Sequence, residues 1–309
     1  MPENRIRHRR SGCCWSFALL FPLVLLIYSN TFQSAWHLDD YQNIVINSRV
    51  QIENFSPQTL SQAIRPPVYN RIWRPVSFLT FALNWYLAPQ SVFGFHLVNT
   101  VLHALTSWVL FLTVLRLLGA PVLKDRFAGS QYLIALMSAV LWAVNPIQTQ
   151  AVTYIVQRMT LLATFFYVLS MLCYIQARLS KAGSSRWVYF FGCALSFVLA
   201  IGSKEIAATL PIALILVETV FFQDLSDPGV RKKMLIVFAA GAAGIVLLGS
   251  ILFLRGNPLS VLNGYRTVDF SPLQRLMTQA RVIVLYITQV FYPTPQRLSI
   301  EHDVDISCL

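Results

Sequence analysis

The sequence predicts an all-α protein that crosses a membrane several times, and three observations carry that expectation. Apolar residues make up 56% of the chain and charged residues 12%, about half the charge that a soluble domain carries. The apolar residues are gathered into runs close in length to the ~20 residues that a helix needs to cross a bilayer. The excess of cations, a net charge of +11, sits largely in short segments between those runs, as it does at the cytoplasmic ends of membrane helices.

A tail over residues 1–12 carries Arg5, Arg7, Arg9 and Arg10, and an apolar run follows at 13–30. The pair resembles a signal peptide. The run is long and no small-x-small cleavage site follows it cleanly, so an uncleaved first span is expected. Six further spans are expected at about 95–118, 131–146, 158–177, 187–203, 206–222 and 234–254, with a shorter apolar segment at 279–292. Together they form a helical membrane domain over 13–292, and 293–309 reads as a C-terminal segment, expected to be cut short. Arg116, Lys124 and Arg126, then Arg178, Lys181 and Arg186, then Arg231, Lys232 and Lys233 make every second gap basic. Those gaps, with the N-terminus, are assigned to the cytoplasm. The first outward loop is then long, residues 31–94. Within it Pro75–Leu87 is apolar but too short to span upright, and is expected to lie as a helix at the membrane interface.

Several chemistries find no support in the sequence. There is no phosphate-binding glycine loop, no dinucleotide fingerprint, no nucleophile elbow and no His-Glu-x-x-His zinc helix. Basic residues are not interleaved with aromatics on a soluble face, so the charge is read as topology and not as a nucleic-acid footprint. Cys13, Cys14, Cys173, Cys193 and Cys308 form no Cys-x-x-Cys pair and suggest neither a disulfide framework nor zinc.

The residues suited to chemistry gather on the outward side. Asp39 and Asp40 stand just past the first span, and with Glu53 are the only carboxylates between that span and Asp125. Adjacent acids raise one another's pKa, which suits a general base; a divalent cation is the one cofactor they leave open. Equally, one of them could simply cap the helix that follows. Arg65-Pro66-Pro67 and Trp73-Arg74-Pro75 place cations on stiff backbone, as anchors for headgroups or contacts for a lipid phosphate. His96, Asn99 and His103 share one face of the second span, as a packing network or as part of a site. Gln157-Arg158 and Lys204-Glu205 lie where spans meet the outward face. The cations there suit a phosphate, though Lys204 and Glu205 could also pair with each other. Asn54-Phe55-Ser56 is a short glycosylation sequon.

The order of these motifs resembles a known family. It runs His37-Leu38-Asp39-Asp40, Trp73-Arg74-Pro75, Gly94-Phe95-His96-Leu97-Val98-Asn99 with His103, then the stretch from Asn145-Pro146 through Gln157-Arg158, then Ser203-Lys204-Glu205. Nearly the whole chain is similar to the membrane half of the transmembrane and tetratricopeptide-repeat proteins, a branch of the GT-C glycosyltransferases. Protein O-mannosyltransferases and aminoarabinose lipid A transferases are more distant. The resemblance implies a GT-C-like bundle, a polyprenyl- or dolichyl-phosphate sugar donor, and a protein or glycan acceptor outside the cytoplasm. It implies Asp39 or Asp40 as the base in an inverting transfer, with Arg74, Arg158 and Lys204 facing the leaving phosphate. The membrane would be a bacterial inner membrane, or the endoplasmic reticulum in a eukaryote. The competing reading is a non-enzymatic membrane protein, such as a lipid-carrier binder, a flippase-like protein or an assembly scaffold, or an inactive fragment.

Overall fold

The computed structural model describes residues 2–65, 73–181, 183–253, 265, 268–299 and 304–307. Pro66-Pro67, much of the gap at 255–278, and Cys308 lie outside the described residues. The chain is helical: α1 (Pro2–Ile27), α2 (Pro57–Ala63), α3 (Pro75–Leu87), α4 (Val92–Leu117), α5 (Gln131–Val144), α6 (Thr149–Thr153), α7 (Arg158–Leu179), α8 (Ser184–Ser203), α9 (Leu210–Phe221), α10 (Pro228–Phe253) and α11 (Pro272–Phe291), with no strand among the described residues. The seven expected spans fall on α1, α4, α5, α7, α8, α9 and α10, and the shorter apolar segment on α11.

Among the described residues, three helices are long and apolar enough to cross a membrane: Val92–Leu117, Ile155–Leu179 and Ser184–Ser203. A fourth is formed if Gln131–Val144 and Pro146–Thr153, bent by 51° at their junction, count as one broken span. The bend has a local cause. Pro146 disfavours helical backbone at the residue before it, and Asn145 is accordingly extended at φ −62°, ψ 125°. The Asn145 side chain then accepts the Ile147 N–H at 3.1 Å and starts a new turn.

Helix boundaries follow the residues that supply or remove hydrogen-bond donors. Proline opens α2, α3 and α11, where a missing N–H costs nothing. Ser56, Ser91 and Ser271 cap α2, α4 and α11 with their hydroxyls. Three starts differ from expectation. α10 begins at Pro228 and not near 234, because Asp227 accepts the Gly229 N–H. α1 begins at Pro2, so the basic tail is helical; arginine is a good helix former and continues the apolar helix beyond its run. α11 begins at Pro272, where a full capping box of Ser271 and Gln274 sets its start.

α4 is the central pillar, packed against α1, α5 and α7, and α7 packs along α8. α3 is 13 residues long, roughly 20 Å at 1.5 Å per residue, short of a ~30 Å hydrocarbon core. It buries Phe78, Phe81 and Trp85 against Phe95, Ile155, Val156 and Met159. α8 approaches α3 so closely that a Cβ on Gly202 would lie 2.9 Å from Val76 Cγ2. The Ser77 hydroxyl donates to the Ser203 carbonyl at 2.9 Å across this contact. Glycine at 202 thereby brings the Ser203-Lys204-Glu205 corner to the start of α3.

Candidate functional site

The candidate site is built around one segment, Tyr154 to Thr160, which joins α6 to α7. The first loop, α3, α4 and the α8–α9 corner each send a polar side chain to it.

The first loop reaches it through a tight turn at His37–Asp40. The Asp40 N–H donates to the His37 carbonyl at 2.8 Å, and the His37 N–H donates back to Asp40 Oδ2 at 3.0 Å. Leu38 sits at φ 37°, a left-handed conformation that is strained for a residue with a Cβ. The turn sends the two neighbouring carboxylates in different directions. Asp40 is fully buried, whereas Asp39 is exposed. Asp40 Oδ1 accepts the Val156 N–H at 2.7 Å, so both its oxygens are engaged by backbone. Burial pushes its pKa up to about 6, against the pull of the two N–H groups. The neighbouring main chain is held as well, because the Asp39 N–H donates to the Tyr154 hydroxyl at 2.9 Å.

Arg158 opens α7 and is completely buried. Its Nε donates to Asn99 Oδ1 at 2.8 Å, and its terminal nitrogens donate to Asn84 Oδ1 at 2.8 Å, the Phe95 carbonyl at 2.9 Å and the Thr80 carbonyl at 3.2 Å. The rings of Phe81 and Phe95 lie 5.0 and 5.2 Å from the guanidinium carbon. Burying a cation costs several kcal/mol. Four charge-assisted hydrogen bonds of about 1.5–3 kcal/mol each, with two cation–π contacts, offset that without a carboxylate in contact. Arg158 therefore ties α3, α4 and α7 together, and its nitrogens face protein oxygens.

His96, Asn99 and His103 form a column along α4 that fastens backbone. His96 Nε2 meets the Ser34 carbonyl at 3.1 Å, and His103 Nε2 meets the Ala143 carbonyl at 3.0 Å. A carbonyl can only accept, so both rings carry the proton on Nε2. Asn99 donates to the Val152 and Ile155 carbonyls. The shared face expected from their spacing is present, and each residue on it holds a different segment: the first loop at Ser34, the end of α6 and its exit at Val152 and Ile155, and the end of α5 at Ala143.

The second charged group lies at the α3 and α8 ends. Arg74 grips Glu205 through two hydrogen bonds, at 2.9 and 2.6 Å, and reaches Met159 Sδ at 3.1 Å. Burial works against the Glu205 carboxylate, but Arg74 outweighs it and holds the pKa below its ordinary value. Arg74 thus takes Glu205, which the sequence offered as a local partner for Lys204. Lys204 Nζ instead donates to Gln157 Oε1 at 3.2 Å and Thr160 Oγ1 at 2.8 Å. It has no carboxylate within ion-pair distance among the described residues. Burial first, and Arg74 second, lower its pKa.

The structure thus brings Asp40, Arg158, Lys204 and Arg74 onto one seven-residue segment, by way of Val156, Arg158 itself, Gln157 with Thr160, and Met159. Tyr154, Thr160 and Asn84 are contacts that sequence reasoning missed, and only the polar Asn84 within an apolar helix offered a signal; Gln157 stood out beside Arg158 at the span end, but its contact with Lys204 was not readable. Glu53 takes no part. Asn54 is exposed, and its side-chain oxygen accepts from Ser56 N–H and the Thr59 hydroxyl. No group of three or more His, Cys, Asp or Glu poised to hold a metal occurs among the described residues. Beside the segment lies a cavity of about 250 Å³, lined by Tyr28, Asn30, Thr31, Ser34, Thr149 and Thr153 together with apolar residues.

No family model matches the chain, and no solved structure matches it. Among curated proteins it is similar to protein O-mannosyl-transferase TMTC1 of Homo sapiens, 32% identical over 181 residues, which are 55% of this chain and 19% of that protein. It is similar to protein O-mannosyl-transferase TMTC3 of Mus musculus, 38% identical over 109 residues, 35% of this chain and 10% of that protein. Protein O-mannosyl-transferase TMTC2 of Mus musculus is 28% identical over 258 residues, 76% of this chain and 29% of that protein. The chain spans less than a third of the length of each. These relatives are the transmembrane and tetratricopeptide-repeat proteins to which the motif order points.

Proposed function

We propose that the chain is the membrane portion of a glycosyltransferase. It moves a sugar, mannose by the names of its relatives, from a polyprenyl-phosphate-linked donor to a hydroxyl of a protein on the extracytoplasmic side. The observation that carries this reading is the convergence of an exposed carboxylate, Asp39, and a cation without a carboxylate partner, Lys204, on the two ends of the Tyr154–Thr160 segment.

In this reading Asp39 is the base. Asp40 has a raised pKa, but it is buried and both its oxygens hold backbone N–H groups; access to a substrate comes before pKa. The Asp39 carboxylate takes the proton of the acceptor hydroxyl. The acceptor oxygen forms its bond to the anomeric carbon as the bond from that carbon to the phosphate oxygen breaks, with inversion. The phosphate leaves with the electron pair, so no strong general acid is needed. Lys204 faces the developing charge, supported by Arg74, in surroundings where a fixed cation acts strongly. Arg158 contributes by fixing the backbone that carries Gln157 and Thr160. The membrane in a eukaryote would be that of the endoplasmic reticulum.

The test is transfer from radiolabelled polyprenyl-phosphate mannose to serine- and threonine-containing peptides, with the protein in lipid nanodiscs and expressed in its full reading frame. Labelled peptide, lost in Asp39→Asn, is the expected result. Donor binding without transfer under any acceptor would overturn the enzyme reading in favour of a lipid-carrier binder.

A further inference from the structure

We infer that the Tyr154 hydroxyl is the positioning group for Asp39, an inference that rests on the reading of Asp39 as the base. The turn that carries Asp39 is strained at Leu38, whose φ is 37°. Leu38 is itself exposed, so its side chain packing does not enforce that conformation. The turn is held from both flanks instead. On one side the Asp40 carboxylate clasps His37 and Val156. On the other, the Asp39 N–H donates to the Tyr154 phenol at 2.9 Å. The two bonds form a reciprocal latch: first-loop backbone to Tyr154 side chain, and Val156 backbone to first-loop side chain. Strain of this kind persists only where the surroundings over-determine it.

Tyr154 is suited to that task. It is 5% exposed and packed in the cluster of Phe78, Phe81, Trp85 and Phe95, so its ring has one place to be. Its neighbour Thr153 is anchored through its hydroxyl to Thr31 at 2.9 Å. The hydroxyl accepts from the Asp39 main chain, which leaves its own proton free for the Asp39 carboxylate. Burial, and the closeness of both aspartates, keep the phenol protonated by raising its pKa. One fixed oxygen thus serves both the backbone and the carboxylate of Asp39. An exposed aspartate otherwise samples several rotamers, and a misplacement of about 1 Å at a reacting group costs as much as 10²-fold in rate.

The test is Tyr154→Phe in the full-frame protein, read in two ways. Hydrogen exchange resolved to single residues should show the Asp39 amide exchanging at least about 10-fold faster, with the Val156 amide unchanged. Transfer should fall about 10- to 100-fold in kcat with the donor KM unchanged, and the fall should vanish in an Asp39→Asn background. Unaltered exchange at Asp39 overturns the inference, because the hydroxyl then holds nothing. Faster exchange with normal kcat, beside an inactive Asp39→Asn, overturns it while leaving the proposed function standing. Full transfer by Asp39→Asn overturns the proposed function and the positioning role together. Loss of Val156 protection in Tyr154→Phe would mean a general loosening of the latch; Tyr154 would then be a structural residue, and the inference fails.

Discussion

Asp40 and Val156 are 116 residues apart in the chain, and a 2.7 Å hydrogen bond from the Val156 N–H to Asp40 Oδ1 joins them. It links the first loop to the start of α7, and it is made by a carboxylate with no exposed surface. The same residue closes the His37 turn with its other oxygen. The pair of aspartates therefore divides into a buried member that builds the site and an exposed member.

That division predicts opposite phenotypes for two similar substitutions. Asp40→Asn should lower stability by about 1–3 kcal/mol, because an amide keeps one acceptor oxygen for the two backbone donors that the carboxylate serves. Asp39→Asn should leave stability within about 0.5 kcal/mol and reduce transfer by about 10²–10⁴-fold. Thermal unfolding in detergent and transfer rate, measured on both variants, separate the two. Equal destabilisation by both would contradict the division.

A pH dependence follows from the buried member. The folded-state pKa of Asp40 is raised to about 6 from an ordinary value of 3.8. A raised pKa means that the folded state binds this proton more tightly than the unfolded chain does. The contribution is fully present below about pH 4 and is lost as pH rises through about 6, amounting to on the order of 1–3 kcal/mol. Over that window the wild-type protein should lose more stability with rising pH than Asp40→Asn does. Parallel curves for the two proteins would show that Asp40 titrates as an ordinary carboxylate. A transfer rate with an acid limb near pH 6 that persists in Asp39→Asn would move the base to Asp40.

Arg158 should tolerate no replacement. Arg158→Lys keeps the charge but offers a single nitrogen to oxygens that lie around a planar fork. Arg158→Met fits the apolar stem and leaves Asn84, Asn99 and two carbonyls without their donor. Each should cost about 3–5 kcal/mol, the range for breaking a buried charge network, and yield little monodisperse protein in detergent. Stability within 1 kcal/mol of wild type for either variant would show that water or neighbouring donors replace the guanidinium.

Lys204 should behave as a ligand contact and Glu205 as a scaffold. Lys204→Met should weaken binding of a short polyprenyl phosphate by about 10-fold or more, in line with the loss of a charge-assisted contact of about 1.5–3 kcal/mol, with little change in thermal stability. Glu205→Gln should weaken the grip on Arg74 and lower stability instead. Isothermal titration in nanodiscs checks the first and thermal unfolding the second. Unchanged phosphate affinity in Lys204→Met would remove this residue from the site.

The sequence by itself determined the helical class, the approximate place of each apolar helix, the break between helices at Asn145-Pro146 and the polar residues singled out at the helix ends. These are readable because helix formation depends on run length, proline and capping groups, which are local, and because a charge inside an apolar chain stands out wherever it occurs. The partners were not readable. Asp39 and Asp40 are adjacent and alike in sequence; only the turn at Leu38 makes one buried and one exposed. Lys204 and Glu205 are neighbours, yet Glu205 turns to Arg74, 131 residues away, because Gly202 lets α8 sit against α3. Arg158 reads as a cation waiting for an anion, and the fold surrounds it with neutral oxygens from two other helices, α3 and α4. Which donor meets which acceptor depends on the packing of segments far apart in the chain, and that packing is a property of the assembled bundle.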